Sequence, residues 1–466
     1  MAKDLRTFLD DVRKLGPEYY VELKKEVDTY MEPYMIQQKL AAENKFPVIY
    51  CPHVKGYSQP LVTDTFGSYD LLGLALDMAP GTVSKKSILQ EFAKRSSNLI
   101  PPVEISREEA PCKAVVMTGD DVDLNKLPFT HHAELDHGKY ITAGFCIMKD
   151  PATGIYNAGW YRHEILNKNT ITAMINPSNH GKYIGRACAE RGERLPVALA
   201  IGHHPAVVMG SCVGGSIDMC EYDVMGGLTG EPIRLVKAET VDLLVPADAE
   251  VILEGYIEHP EKEVPDGPFA EFAGYYGHVM PSYEITITGI TTRKDAIMHE
   301  LDPAHVEHNL SGVLAYELNH YNALTKAFPS VTGVHLPPSG CCMFHVYIQM
   351  HKGVQGEAKR AAMLSLSSVS MCKMAIVVDD DVDIYNERDV MWAVATRCQG
   401  DRNIQIIPAV TGSHLDPLAY GEDRDEVGTL VTKVIIDATK PLGKEFAPRV
   451  KPKQSLMDSI VLEDYL

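Results

Sequence analysis

Along residues 3–45 the apolar positions Leu5, Phe8, Leu9, Val12 and Leu15 recur at three- and four-residue steps, which predicts helix. "FPVIYCPHV" (46–54) shifts to a strand-like run, and "DLLGLALDM" (70–78) returns to helical spacing. "SKKSILQEFAKRSS" (84–97) is a second helix opened by a Ser N-cap. "LIPPVEISREEAP" (99–111) is Pro-rich, extended and charged, and reads as a linker. From 112 to about 310 short β-like runs dominate, separated by Gly, Pro and Asp. They are "KAVVMTG", "YITAGFCIMKD", "TITAMIN", "PVALAIG", "AVVMGSCV", "EVILEGYIE" and "SYEITITGITTR", a spacing that predicts a barrel or sandwich. The helical "GKYIGRACAERGE" interrupts them. Beyond 311 the chain alternates helical "GEAKRAAMLSLSS", strand "KMAIVVDDDVDI", helical "ERDVMWAVATRC" and strand "NIQIIP", as in an α/β layer. The Lys- and Pro-rich tail ends in an amphipathic "SLMDSIVLEDYL", suited to docking on a neighbouring subunit.

At ~100–200 residues per domain, 466 residues make two or three domains. The net charge of −19 repels nucleic acid and anionic lipid, so neither is expected as a partner. An acidic substrate must then be met by a few placed cations. "MAKDLRTFLDDVRKLG" has no apolar core of a signal peptide, and no apolar run reaches the ~20 residues of a membrane span. The ten cysteines are scattered without a CxxC pair, so they read as reduced thiols of a cytoplasmic protein.

Several stretches carry candidate chemistry. In "VPDGPFAEFAGYY" (264–276), Asp266 and Glu271 flank a Gly-Pro turn among apolar residues. Two such acids can have their pKa values pushed apart, one ionised and one carrying a proton; solvated loop acids are the plain alternative. In "YNAGWYRHE" (156–164), Arg162 lies between Tyr161 and His163 in strand-like sequence. It is either a surface residue or a buried fork for a carboxylate. His180 in "NPSNHGKY" is a turn residue or a ligand, and Glu221 before a Gly-rich segment is a helix-start acid or a ligand. Together with Asn157 they offer O, N and O donors, a mix suited to Mg²⁺ or Mn²⁺ beside a phosphate. Spacing alone does not bring them together. "VVDDDVDIY" (377–385) lacks the Gly and terminal Glu of an EF-hand and reads as a strand end and helix cap. The absence of GxxxxGK[ST], GxGxxG and GxSxG in strand–helix context disfavours P-loop, Rossmann and serine-hydrolase chemistry.

"DGPFAEFAGYYG" resembles the signature of the UbiD-like prenylated-FMN-dependent decarboxylases. "NAGWYR", the 23-residue step from Asn157 to His180, residues 221–255, "MHKGVQGEAKRA", "DDDVDIYNERDVMWAVATR" and "TKVIIDATKP" are similar to further family blocks in the same order. The likeness covers roughly residues 40–445. It implies reversible decarboxylation of an aromatic or heteroaromatic acid through a covalent adduct with prenylated FMN. It also implies Mn²⁺ or Mg²⁺, with K⁺ or Na⁺ close by, bridging the cofactor phosphate to the protein. By position, Asn157, His180 and Glu221 become metal and phosphate ligands. Tyr161, Arg162, Ser211, Cys212 and Lys352 join the cofactor-binding set. Arg162 orients the carboxylate, Glu271 donates the proton, and Asp266 completes the network. "MHELDPAHVEHNLS" (298–311) and "TRCQGDRNIQIIPAVTGSHLDP" (396–417) look closest to the hydroxybenzoate and protocatechuate branch. His305, Glu307 and His308 are therefore candidates for reading a ring hydroxyl or nitrogen, a hydrogen-bonded interface cluster being the alternative.

The resemblance implies an α+β multidomain chain. Residues 1–110 form an N-terminal α/β domain and 111–310 a flavin-reductase-like split β-barrel that binds the cofactor. Residues 311–440 form a C-terminal α/β domain, and 441–466 a tail helix for oligomer contact. Expected partners are a small ring acid, CO₂, a prenyl-FMN synthase as cofactor supplier, and further copies in a homodimer or homohexamer. A non-catalytic flavin-binding or carrier protein of the same fold is the alternative.

Overall fold

The computed structural model describes residues 2–465 apart from 178, 420–423 and 426–427. The opening helix, Leu5–Leu15, buries Leu5, Phe8, Leu9 and Val12 on one face. Asp4 caps it, accepting the Thr7 N–H at 2.8 Å while the Thr7 hydroxyl oxygen accepts the Asp4 N–H. Helix does not continue to residue 45. Gly16 (φ 102°) and Pro17 stop it, a short strand Tyr20–Glu22 follows, and helix resumes at Glu32–Ala42. Tyr20–Glu22 runs parallel to Val48–Cys51, which pairs antiparallel with Leu61–Thr63. The fourth strand of this sheet is Met298–His299, parallel to Leu61–Thr63. The chain thus returns to its N-terminal sheet after more than two hundred residues. The Ser84 cap is as expected: its hydroxyl accepts the Ser87 N–H and opens Lys85–Ser97.

Residues 99–106 are extended but do not swing free, and the stretch then turns into the 3₁₀ helices Arg107–Glu109 and Pro111–Lys113. Val103–Glu104 pairs parallel with Arg234–Lys237, and the Ile100 N–H donates to the Asp223 carbonyl at 3.0 Å. A backbone with this many groups to satisfy takes up a ladder when one is within reach.

The central sheet is antiparallel. Its path runs Tyr140–Ile141, His163–Asn167, Thr170–Ala173, Met280–Thr292, Val251–Ile257, Leu195–Ile201, Gly144–Lys149, Tyr156–Trp160. Val115–Thr118 and Val264–Asp266 also pair with the long strand Met280–Thr292. A register shift at Glu254/Gly255 helps bend it into a curled half-barrel, and a Cβ on Gly255 would collide with the Thr286 carbonyl. Both faces are buried: Cys146, Val197, Leu199 and Leu253 pack on one side, Phe145, Ile147, Ala198 and Ile252 on the other. That explains the near-continuous apolar runs in the sequence.

One of those runs is not a strand. "AVVMGSCV" contains the helix Pro205–Gly210, with Pro205 at its first turn and the His204 ring accepting the Ala206 N–H. All six residues are buried, so no polar face marks the helical period.

The third sheet is ordered Val331–His335, His345–Met350, Met374–Asp379, Gly428–Ala438, Ile404–Thr411, and packs with helices Val313–Ala327, Glu357–Ser368 and Glu387–Arg397. Its core is continuous with that of the N-terminal unit: Leu5, Phe8, Leu72, Val208, Leu314 and Val346 belong to one apolar cluster. The acid run is spent on ion pairs, Asp379 and Asp381 with Arg397 and Asp381 with Lys440. The tail forms only the four-residue helix Gln454–Met457 and a 3₁₀ turn, Leu462–Asp464. Leu456, Met457, Ile460, Val461, Leu462 and Tyr465 are exposed there.

Lys113 and Glu254 form an ion pair at 3.1 Å with both side chains out of solvent. Glu254 also accepts the N–H groups of Glu239 and Thr240 at 2.7 Å each. Lys113→Met is expected to cost about 3–5 kcal/mol, because a buried charge loses its partner. Chemical denaturation against the parent protein checks it.

Candidate active site

Asp266 ends the strand Val264–Asp266 on the edge of the curled sheet. Gly267 turns the chain at φ 103°, where an added Cβ would lie 3.2 Å from the His278 carbonyl and 3.4 Å from Arg162 Nη2. A small hairpin, Phe269–Ala270 against Tyr276–Gly277, then carries Glu271 at its bend. Arg162 stands between strands Tyr156–Trp160 and His163–Asn167 and meets both acids. Its Nε donates to Asp266 Oδ1 at 2.8 Å and Nη1 donates to Glu271 Oε1. The Phe269 ring lies 5.1 Å from the guanidinium, and the Thr172 hydroxyl donates to the second Asp266 oxygen. The solvated-acid reading fails: Asp266 is 0 % and Glu271 7 % exposed.

Burial pushes the Glu271 carboxyl up; Arg162 pulls it back and the Asp266 charge pushes it up again. Asp266 is also raised, chiefly by burial, against the pull of Arg162 and Thr172. The expectation of one ionised and one protonated acid, their pKa values pushed apart, is therefore too simple. One guanidinium serves two carboxyls, and both sit above the usual range. Burial works against the charge on Arg162, but Glu271 and Asp266 outweigh it and raise its pKa.

Asn157 and Glu221 do meet. Asn157 Nδ2 donates to Glu221 Oε1 and the Ala158 N–H to Oε2, each at 3.0 Å. Glu221 opens the buried helix Glu221–Thr229, and burial pushes its carboxyl up to about 7. Asn157 Oδ1 is buried without a hydrogen-bond partner. His180 opens the helix His180–Arg191, packed on the strand that holds Asn157. Tyr161 ties the two elements through the Asn179 side chain and the Gly181 backbone, within reach of the Glu221 charge. Among the described residues no group of three or more His, Cys, Asp or Glu side chains is arranged to hold a metal. The corner therefore presents an amide oxygen and a carboxylate, hard donors that fit a cation such as Mn²⁺ or Mg²⁺. His180 stands at the start of the helix beside this corner.

Ser211 and Cys212 follow the buried helix Pro205–Gly210; the Ser211 hydroxyl donates to the Val208 carbonyl, and burial pushes the Cys212 thiol up to about 12. Lys352 lies elsewhere. Its ammonium donates to the Thr439 hydroxyl at 2.6 Å and the Lys440 carbonyl at 2.8 Å, at the end of the third sheet.

The 298–311 segment splits. Glu307 is enclosed against the N-terminal unit, accepting the Asp64 N–H at 2.9 Å and the Thr63 hydroxyl at 3.2 Å. Burial, helped by Asp302, pushes it up to about 7. His305 caps its own helix, Val306–Ser311, by accepting the Glu307 N–H. These two fit the interface reading. His308 turns towards the acids: it feels the charge of Arg162, its ring meets Phe272 edge-on at 6.3 Å, and its Nδ1 is buried without a partner. Burial lowers its pKa to about 4, so it is neutral. Sequence reasoning missed Thr172, Phe269 and the "HHAELDH" segment (131–137) that packs on the acid loop. The clue in that segment was its charge density beside a turn, not metal spacing.

The chain combines a mixed α/β multidomain fold with an enclosed Arg–Asp–Glu site. The comparisons agree. The chain belongs to the UbiD family: the model for the 3-octaprenyl-4-hydroxybenzoate carboxy-lyase Rift-related domain matches residues 103–305, and that for the carboxy-lyase C-terminal domain residues 308–438. It is a carboxy-lyase, which removes the carrier-protein alternative. It is 33% identical over 417 residues to the anhydromevalonate phosphate decarboxylase of Methanosarcina mazei, covering 90% of this chain and 93% of that one. It is also similar to the UbiD-class enzyme HmfF of Pelotomaculum thermopropionicum in complex with FMN, at TM-score 0.89 and 34% identity over 99% of this chain and 100% of that one. An evolved dimeric form of HmfF in complex with prenylated FMN matches at TM-score 0.87 and 32% identity over 100% of both chains. The vanillic acid decarboxylase of Sedimentibacter hydroxybenzoicus matches at TM-score 0.87 and 28% identity, over 100% of this chain and 99% of that one.

Arg162→Met leaves Asp266 and Glu271 buried without counter-charge. A loss of about 3–5 kcal/mol at neutral pH is expected. Carboxyls raised in the folded state cost stability above their unfolded value of about 4; the cost is full above the raised folded value and fades as pH falls from there to about 4. The variant should therefore regain stability on acidification relative to the parent, read as thermal midpoint against pH.

Proposed function

We propose that this chain catalyses the reversible, non-oxidative decarboxylation of an aromatic or heteroaromatic acid with prenylated FMN, the Arg162–Asp266–Glu271 arrangement being the observation that carries the reading. The unpartnered Asn157 Oδ1 and the buried Glu221 carboxylate suit a divalent cation and, through it, the cofactor phosphate. K⁺ or Na⁺ belongs beside it. Tyr161 and His180 flank that corner, and Ser211 and Cys212 line the approach. Lys352, held by Thr439 and Lys440, is the member of the set with least support. Bound there, prenylated FMN supplies the electron sink that cleavage at an sp² carbon requires.

The protein's own work is then threefold. Arg162 can grip the substrate carboxylate with its fork because its charge is kept by two acids. Phe269, Phe272 and Phe344 wall the site; Phe272 and Phe344 lie 5.2 Å apart. Glu271, its carboxyl raised by burial, gives a proton to the carbon that lost CO₂ and takes one in the reverse direction. Asp266 holds Arg162 in place.

Neutral His308 beside aromatic rings suits a ring hydroxyl, which favours the hydroxybenzoate-type substrate. A phosphorylated, unsaturated aliphatic acid is the second reading, favoured by the Methanosarcina mazei relative. The domain division at 110, 310 and 440, a split barrel like that of flavin reductases, a cytoplasmic site of action, supply of the cofactor by a prenyl-FMN synthase, and assembly through the apolar tail into dimers or hexamers complete the reading.

Anaerobic co-expression with a prenyl-FMN synthase, followed by CO₂ release from hydroxybenzoic, furoic, pyrrole and indole carboxylic acids and from anhydromevalonate phosphate, tests the assignment. Turnover of a ring acid supports it. Turnover of the phosphorylated acid alone replaces it by the second reading.

Glu271→Gln is expected to lower decarboxylation roughly 10²–10⁴-fold. In the parent the rate should fall as pH rises through the raised Glu271 pKa, since the proton is then gone. That alkaline limb should vanish in the variant's pH–rate profile.

A further inference from the structure

Glu164 lies in the strand His163–Asn167, two residues after Arg162, and both side chains reach the acid loop. Arg162 takes the carboxylates of the acid loop; Glu164 takes its backbone. Glu164 Oε2 accepts the Gly267 N–H at 3.1 Å and the Tyr140 hydroxyl at 3.1 Å. Its Oε1 is bonded to Nδ1 of His137. The Glu164 side chain is 2 % exposed and that of His137 65 %, so the pair joins the buried loop to solvent.

His137 grips the loop a second time, its main-chain N–H donating to the Pro268 carbonyl at 3.0 Å. Asp136 adds a third hold: Oδ1 accepts the Ala270 N–H at 2.8 Å, and Oδ2 accepts the Ala133 N–H at 3.0 Å, which stiffens its own turn. The anchored groups belong to Gly267, Pro268 and Ala270, the last immediately before Glu271. Beyond them the Glu271 N–H closes on the Tyr275 carbonyl at 2.8 Å. A buried carboxylate is a costly way to brace a loop that apolar packing could support. What it gives is a directional hold on one amide, placed between the two acids that share Arg162.

We propose that Glu164 and His137, backed by Asp136, are positioning residues for Glu271: they fix the loop so that its carboxyl faces the reacting carbon. His137 is the solvent-side end of this bracket, from which the loop can be loosened without disturbing Arg162. The role given to Glu271 rests on the proposed function; the hold on its loop does not.

The test uses the full-length, cofactor-loaded protein, with peptide-level hydrogen exchange across residues 264–277 and steady-state kinetics on the acid it turns over. In Glu164→Ala, amides 267–271 should exchange about tenfold or more faster, because a buried N–H has lost its acceptor. The turnover number kcat should fall about 10–100-fold with KM within about threefold, the mark of a misplaced acid beside an intact carboxylate fork. Glu164→Gln keeps an acceptor for Gly267 and should recover most of kcat. His137→Ala, at an exposed position that does not threaten folding, should loosen the same peptide to a smaller extent. Unchanged exchange in His137→Ala and Glu164→Ala, or equal losses of kcat in the Glu164→Ala and Glu164→Gln variants, would overturn the proposal. If the parent turns over no acid, the reaction assignment falls, and the exchange of His137→Ala alone then decides: faster exchange in 267–271 supports the bracket, and no change overturns it.

Discussion

Two carboxyls and one guanidinium share a space from which water has been removed. That constraint governs the site. Arg162 cannot satisfy both Asp266 and Glu271 as it would in water, so both are raised and a proton is within reach of the pair. The surrounding structure keeps the ratio from relaxing. Thr172 feeds a hydroxyl to Asp266, Phe269 lies against the guanidinium, and the turn at Gly267, with φ 103°, favours glycine between the two acids. A second cation would quench the acid, and a less enclosed site would let water take its place.

The curled sheet is the frame that makes this arrangement rigid. Arg162, Thr172 and Asp266 come from neighbouring segments of one hydrogen-bonded surface, so their separations are set by strand spacing rather than by loop geometry. Asn157 belongs to the same surface at the other end of its path. The Asn157–Glu221 corner and the acid–guanidinium trio are thereby built on one sheet, which a reaction spanning both would need.

Much of this was legible in the amino-acid order, and the rest was hidden for identifiable reasons. Amphipathic helices such as Lys85–Ser97 announced themselves by period and cap. Pro205–Gly210 did not, because a helix buried on every side has no period to show. The acids and Arg162 were conspicuous as charges set among turn and apolar residues. Thr172 and Glu164 were not, since a polar residue in a strand gives no sign of which loop it will face. Glu307 and His308 are adjacent in sequence but face opposite clients, a distinction that only the helix orientation supplies. Lys352 matched a motif, and its ammonium bonds Thr439 and Lys440 just past the strand Gly428–Ala438, partners that the motif did not announce.

The N-terminal sheet has one more consequence. Its fourth strand is Met298–His299, so the first hundred residues do not contain the element that completes their sheet. Cut off at the linker, they would present Leu61–Thr63 as an open strand edge, a template for pairing with another chain. The same return brings His308 against Phe272 beside the acid loop, so the segment that completes the amino-terminal sheet also packs on the acid–guanidinium site.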